Sequence, residues 1–237
     1  MLARGIGAAI ALASTTPRAD PALMDRPPLS LVIFGSLEAD PSKTHGSIGF
    51  KRAFGAFGGL DASGFRFGMK WEASVEPAHR KPREGRLYRA EVHTLVGYEW
   101  RIGDSYLALS AGPAVETAYR ETRRYLSFEQ RTALRLQADL WSTPAENWFL
   151  QAGAYAVLTD NGRYWGRLAA GRQLIGELYL GPEFEAYRER DYHKLRLGLH
   201  LSGLRLFGLD WRLAGGIQKT SDEKAGAYVT LGLHRKR

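Results

Sequence analysis

Two glutamates and two histidines are the residues of this chain whose types and spacing are compatible with catalysis. Glu183 and Glu185 are separated by one residue in GPEFEAYRERD. At the rise of an extended strand their carboxylates would lie about 7 Å apart, which is compatible with a glycosidase pair. His93 and His200 are candidates for the base of a serine–histidine pair, which needs hydrogen-bond contact between the two side chains.

The motifs that usually accompany such chemistry are missing from the sequence. There is no G-x-S-x-G nucleophile turn and no H-E-x-x-H metal motif. The chain contains no Cys, which excludes disulfides, thiol catalysis and cysteine-ligated metals. Two carboxylates on one strand face are more often structural than catalytic. We therefore predict a non-enzymatic protein without a cofactor or a metal.

Alternation of polar and apolar residues indicates which elements carry these groups. In KLRLGLHLS (residues 194–202), a leucine at every second position alternates with Lys194, Arg196 and His200. A period of two predicts β-strands, whereas an amphipathic helix needs apolar residues at i, i+3, i+4 and i+7. Similar alternation recurs from residue 30 onward, less regularly near residues 30–38 and 46–57. It predicts about twelve strands and little helix.

The links between the predicted strands differ in length. Odd-numbered links are mostly long and charged, with a tight turn at 160–163 as the exception: they are 40–45, 74–85, 119–131, 188–192 and 219–226. Even-numbered links are short: they are 58–64, 103–104, 142–147, 175–176 and 207–208. Short periplasmic turns and longer extracellular loops are typical of bacterial outer-membrane barrels. We predict an all-β fold, a closed antiparallel transmembrane β-barrel of about twelve strands, for residues 30–237.

The apolar face of these strands should point outward, toward lipid. Twelve strands enclose a lumen too wide for side chains to fill easily, which disfavours a soluble barrel or sandwich with an apolar interior. On the apolar face, Trp100 and Trp148 lie beside short links, and Trp71 and Tyr164 lie near long links. Aromatic residues at both ends of an apolar band form the interfacial girdles of membrane barrels. The expected location is the bacterial outer membrane.

The polar face would then line the lumen with charges of both signs and with aromatic rings. Arginine, carboxylate and glutamine groups can hydrogen-bond to sugar hydroxyls, and tyrosine and tryptophan rings can stack on sugar rings. An alternative is a water-filled lumen in which ion pairs hold the shape of the barrel. The candidate lumen and glycan-contacting residues are Arg66, Lys70, Arg89, Glu91, His93, Tyr106, Arg135, Trp141, Tyr155, Trp165, Tyr179, Glu183, Glu185, Arg196, His200 and Arg212.

The net charge of +8 arises from 33 Lys and Arg against 25 Asp and Glu. Basic residues concentrate in two predicted long links: Arg80, Lys81 and Arg83 in one, and Arg120, Arg123 and Arg124 in the other. For an exported barrel we expect these loops to face outer-membrane lipid and the phosphates of lipopolysaccharide rather than nucleic acid. A solvated loop without a partner is the alternative.

The N-terminal residues resemble an export signal. Arg4 precedes a small, apolar stretch, and Ala11-Leu12-Ala13 is a cleavage site of the A-x-A type. A weaker site follows at Pro17-Arg18-Ala19, and a frayed helix is the alternative. We predict a signal peptide over residues 1–19 and an extended leader over residues 20–29.

Three stretches of the chain resemble the cellulose biosynthesis protein BcsS family. They are LVIFGSLEAD (31–40), GSIGFKRAFGAFGGLDASGFRFGMKWE (46–72) and the C-terminal block 178–237. The resemblance covers about residues 30–237 and includes no catalytic signature. It implies an accessory role in the production, export or surface retention of bacterial cellulose, with cellulose or other cellulose-synthase subunits as partners. The ending His234-Arg235-Lys236-Arg237 departs from the final aromatic residue of most outer-membrane barrels.

Two other functions stay open from the sequence. One is a small porin-like channel for solutes or saccharides, which a charged, water-filled lumen would suit. The other is an outer-membrane lipid or glycan hydrolase built on the histidines and glutamates named above.

Overall fold

The protein is a closed antiparallel β-barrel. A computed structural model describes residues 30–54, 59–77, 85–122, 126–159, 162–222 and 224–236. In these ranges each strand pairs with its neighbours in the chain, and β1 pairs with β12 to close the barrel. The strands are β1 (Leu31–Asp40), β2 (Lys43–Ala53), β3 (Gly64–Pro77), β4 (Gly85–Ile102), β5 (Ser105–Thr122), β6 (Leu126–Ala145), β7 (Trp148–Leu158), β8 (Arg163–Ile175), β9 (Leu178–Glu189), β10 (Tyr192–Leu206), β11 (Leu209–Thr220) and β12 (Gly226–Lys236). The predicted fold and strand number are confirmed.

The period of two places apolar side chains outside and charged side chains inside. On β10, Leu197 and Leu199 are each 58% exposed, whereas Arg196 and His200 are 2% and 1% exposed. Successive side chains of a strand point to opposite faces, so this contrast follows directly from the sequence. Closure pairs the backbone of every strand on both sides, which lipid contact requires because unpaired backbone groups are costly there. Within the described ranges, no helix is long and apolar enough to cross a bilayer.

Exposed aromatic residues lie near both ends of the outer apolar band. Trp100 and Trp148 lie beside even-numbered connections and are 40% and 48% exposed. Trp71 and Tyr164 lie toward the odd-numbered connections and are 41% and 50% exposed. This distribution is that of the two interfacial girdles of an outer-membrane barrel.

The odd-numbered connections are shorter than the sequence analysis predicted. Residues 119–131 were expected to form a loop, but Tyr119 pairs with Phe128 and Arg120 with Ser127 in the β5–β6 ladder. The expected links 40–45 and 188–192 likewise shrink to 41–42 and 190–191. Backbone pairing does not require apolar side chains, so the ladders extend into charged sequence. These predicted loops were therefore wrong in length.

The even-numbered connections are mostly two-residue turns. At Phe207 and Gly208 the φ angles are 55° and 71°, and positive φ at both central residues is typical of the hairpin turn that matches strand twist. The exception is the link between β2 and β3, residues 54–63, which is longer than the predicted 58–64.

Candidate functional site: the charged and aromatic lumen

The barrel encloses a cavity of about 1410 Å³. All the lumen residues predicted from the sequence lie on the inner face of the barrel. Most line the cavity directly, while Arg196 and His200 are buried behind the residues that do. Contact of these residues with a glycan stays a prediction.

A pair of charged residues crosses the lumen toward the odd-numbered connections. Arg89 on β4 donates hydrogen bonds to both carboxylate oxygens of Glu189 on β9, at 3.1 and 2.9 Å. Four strands lie between β4 and β9 in the barrel order, so this contact spans the interior. The hydroxyl of Tyr187 also donates to Glu189, at 2.8 Å. We call Arg89 and Glu189 the lumen strut.

A second group of charges lies close to the strut and is centred on Glu91. Its carboxylate accepts a hydrogen bond from Arg135 at 2.9 Å and another from Arg163. His93 Nδ1 lies 3.2 Å from the same carboxylate. Arg163 also donates to Glu116 at 2.6 Å and thereby links β8 to β4 and β5. Together with the strut, these contacts narrow this half of the lumen.

Glu72, Glu91 and His93 have the donor atoms and proximity that a metal site requires. Their ligand atoms lie within 4.8 Å of one another. However, Lys70 lies 2.7 Å from Glu72, and Arg135 contacts Glu91. Because these cations already neutralise the carboxylates, the donor set does not favour a metal ion.

Glu99 is the centre of a third group, toward the even-numbered connections. Its side chain is fully buried and contacts Lys51 at 2.7 Å, Arg101 at 2.9 Å and Arg66 at 3.7 Å. Arg66 also donates to the Gly59 and Ala62 carbonyl oxygens of the β2–β3 connection. The adjacent Leu60 is 3% exposed and lines the cavity. Part of the β2–β3 connection therefore turns into this mouth of the barrel.

Arg196 connects β10 to the closing seam of the barrel. Its guanidinium donates to Glu38 at 2.6 Å and to Asp40 at 2.7 Å on β1, and to Glu185 at 3.2 Å on β9. Glu38 and Asp40 are not among the predicted lumen residues, because their segment alternates less regularly and Asp40 lies in a predicted link. The sequence signal for Glu38 is its place next to the apolar Leu37. Leu37 is 54% exposed on the outer face, which places Glu38 on the inner face.

An arc of aromatic rings lines the lumen beside the even-numbered connections. Tyr106 and Trp141 stack with centroids 6.3 Å apart and planes 11° apart. Phe149 lies 6.0 Å from Trp141, 5.6 Å from Tyr179 and 5.7 Å from His200. Tyr106, Trp141, Phe149 and Tyr179, which we call the aromatic arc, come from β5, β6, β7 and β9, and His200 on β10 lies behind them, 1% exposed. Phe149 is not among the predicted lumen residues, although the outward position of Trp148 puts it on the inner face.

A second stacked pair lies farther along the lumen. Tyr155 and Trp165 have centroids 5.4 Å apart and planes 19° apart. The Arg135 guanidinium lies 3.7 Å from the Tyr155 centroid, within cation–π range. Gly153 leaves room for this pair, because a Cβ at that position would lie 3.3 Å from the Trp165 ring.

Comparison with known proteins assigns the family. The family model described as "Cellulose biosynthesis protein BcsS" matches residues 42–237. The chain belongs to the BcsS family. The resemblance drawn from the sequence is therefore confirmed, and this BcsS-family protein is an outer-membrane-type β-barrel associated with cellulose biosynthesis. A comparison with curated proteins finds no match.

Solved structures similar to this BcsS-family barrel are outer-membrane barrels. The β domain of the Bordetella autotransporter BrkA has a TM-score of 0.58 at 12% identity, covering 89% of this chain and 100% of that chain. The translocator domain of the autotransporter NalP from Neisseria meningitidis has a TM-score of 0.52 at 12% identity, covering 91% of each chain. At these identities the likeness concerns the fold.

The paired glutamates of the BcsS-family barrel are held in ion pairs. Glu183 accepts a hydrogen bond from Arg212, and Glu185 accepts one from Arg196 at 3.2 Å. A glycosidase needs one carboxyl group that retains a proton. Because each of these carboxylates is already occupied by a guanidinium, the contacts argue against a glycosidase pair.

His200 does form the serine contact that a hydrolase would need. Its Nε2 lies 3.2 Å from the Ala170 carbonyl oxygen, which can only accept, so Nε2 carries the proton. Nδ1 therefore accepts the hydrogen bond from the Ser202 hydroxyl at 2.9 Å. Among the described residues no carboxylate lies within 4.0 Å of His200, so the acidic third member of a triad is missing.

Most of the predicted lipopolysaccharide-facing residues lie outside the described ranges. These are Arg80, Lys81, Arg83, Arg123 and Arg124, and residues 1–29 also lie outside. Arg120 is described: it belongs to β5, near its end, and lines the mouth of the cavity. A lipopolysaccharide partner and the signal peptide stay predictions.

Proposed function

We propose that this BcsS-family protein is a non-enzymatic outer-membrane accessory of cellulose production that contacts the glucan chain inside its lumen. The observation that carries the proposal is the aromatic arc, a continuous row of rings on the inner wall. Sugar rings have apolar faces that pack on aromatic rings, and their hydroxyls can pair with the charged groups beside the arc.

The position of the arc suggests where the glucan chain enters. Four of the five even-numbered connections are two-residue turns, against two of the six odd-numbered ones. Because short turns are characteristic of the periplasmic side of outer-membrane barrels, we place the arc at the periplasmic mouth. The lumen strut and the Glu91 group narrow the opposite half. We infer that the barrel holds a glucan chain at its periplasmic mouth, as a tether or as the first part of a conduit for export.

Binding of cellohexaose to the purified barrel in detergent tests this proposal. Trp141→Ala removes an inward ring of the arc, and stacking energies of about 0.5–1.5 kcal/mol correspond to affinity lowered by about two- to tenfold. Trp148→Ala is the matched control, because Trp148 lies near the same turn but is outward and 48% exposed. Unchanged affinity in Trp141→Ala, or an equal loss in Trp148→Ala, would refute contact at the arc.

A porin-like channel is the second candidate, and the cavity of about 1410 Å³ with charged walls favours it. Planar-bilayer conductance separates the two functions. A steady open current, together with unchanged cell-associated cellulose after gene deletion, would favour the channel. Loss of cell-associated cellulose with unchanged uptake of small solutes would favour the accessory role.

We also propose that the barrel resides in the bacterial outer membrane with its basic outer rim against lipopolysaccharide phosphates. The aromatic girdles and the similar solved barrels support this location. Membrane fractionation tests it, and a chain recovered in the soluble periplasmic fraction would contradict it. Glucan and other cellulose-synthase subunits are the proposed partners.

A further inference from the structure

Among the described residues, Arg167 differs from seven other arginines on the inner face of the barrel in having no carboxylate partner. Each of the others has a carboxylate oxygen within 4.0 Å: they are Arg66, Arg89, Arg101, Arg135, Arg163, Arg196 and Arg212. Among the residues that the structure describes, Arg167 has neither an ion pair nor a hydrogen bond. Its Nε atom is buried without a hydrogen-bond partner, as are the Nε atoms of five of these paired arginines, so the missing carboxylate is what distinguishes Arg167. Its side chain lines the cavity.

The acidic residues that interact electrostatically with Arg167 are Asp139, Glu183 and Glu185, and each already has another partner. Asp139 accepts a hydrogen bond from Gln137 at 2.8 Å. Glu183 accepts from Arg212, and Glu185 accepts from Arg196. The Arg167 guanidinium instead lies 5.7 Å from the Trp165 ring centroid.

A guanidinium withdrawn from bulk water without an acceptor is unfavourable, and a bound anion offsets that cost. Planar guanidinium groups pair preferentially with carboxylates and phosphates, often through two parallel hydrogen bonds. Beside Arg167, the stacked rings of Tyr155 and Trp165 offer an apolar surface of the kind that packs against a sugar ring.

We propose that Arg167 and Trp165 form a binding subsite for a sugar unit that carries a carboxylate. The inference rests on the proposed glycan-contacting lumen and specifies a substrate class for it. A chain bearing acidic units would place its carboxylate on Arg167 while neutral units pack on the aromatic arc.

The test compares cellohexaose with a cello-oligomer of the same length oxidised to glucuronic acid units. Wild-type barrel in detergent should bind the acidic oligomer about tenfold more tightly, the effect expected of one charge-assisted hydrogen bond. Arg167→Gln should remove this preference and leave cellohexaose binding unchanged. Arg172→Gln is the matched control, because Arg172 lies on the same strand but is exposed on the outer face, and it should keep the preference.

Three results would overturn the assignment. They are equal binding of the two oligomers by the wild type, a preference that persists in Arg167→Gln, and displacement of the acidic oligomer by equimolar acetate. The last would indicate a site for free anions rather than for a sugar. Heat-modifiable migration shows whether Arg167→Gln folds. If it does not fold, the preference of the wild type for the acidic oligomer must still weaken when salt is raised. A preference that does not depend on salt would refute the assignment. Failure of the proposed function is distinguishable from failure of this subsite, because the wild-type barrel would then not bind cellohexaose.

Discussion

Neutralising Glu99 should destabilise the barrel far more than neutralising a surface glutamate with an equally short ion pair. Glu99 is 0% exposed and has Lys51, Arg66 and Arg101 within 3.7 Å. Removing one partner of a buried pair typically costs about 3–5 kcal/mol, because the opposite charge is left uncompensated. Lys51 and Arg101 retain 30% and 27% exposure, so we expect Glu99→Gln to cost about 3 kcal/mol, at the lower end of that range.

Glu129→Gln is the matched control for this substitution. Glu129 lies 2.7 Å from Arg131, the same distance as Glu99 from Lys51, but the two side chains are 59% and 44% exposed. Exposed pairs contribute about 0–1 kcal/mol because water and salt screen them. Urea unfolding in lipid vesicles, followed by heat-modifiable migration, measures both free energies of unfolding. Equal losses in the two variants, or wild-type stability in Glu99→Gln, would refute the claim that burial gives this network its importance.

Two further predictions concern the lumen. Arg89→Ala removes the strut to Glu189 and should raise planar-bilayer conductance, because the narrowed half of the lumen widens. Arg188→Ala is the control and should not raise it, because Arg188 is exposed on the outer face. Equal conductance in both variants would argue that the strut does not limit passage. His200→Ala should leave any ester hydrolysis by the purified barrel unchanged, because the His200–Ser202 contact has no acidic third member among the described residues. Hydrolysis that this substitution abolishes would contradict a non-enzymatic role.

Prediction of the site from sequence succeeded where the alternation of residues was regular. The side-chain period of β10 places Arg196 and His200 inside and Leu197 outside without reference to any other strand. The same rule would have placed Phe149 inside, opposite the outward Trp148. It was less useful for Glu38 and Asp40, since β1 alternates weakly and its last residues resemble a turn. The predicted positions of the strand ends were wrong for a related reason, because the paired backbone continues through charged residues such as Arg120.

The sequence by itself determined that the chain forms outward-apolar strands, and it identified which residues face inward, because alternation is a local property of an extended backbone. Only the tertiary structure decided which inward residues meet. Arg196 reaches Glu38 and Asp40 because β12 pairs with β1, and Arg89 meets Glu189 because closure brings distant strands face to face across the lumen. Among the described residues Arg167 is left without a carboxylate for the same reason: Glu185, its neighbour across the ladder, is already bound to Arg196. That outcome depends on the register of the whole barrel and not on any single strand.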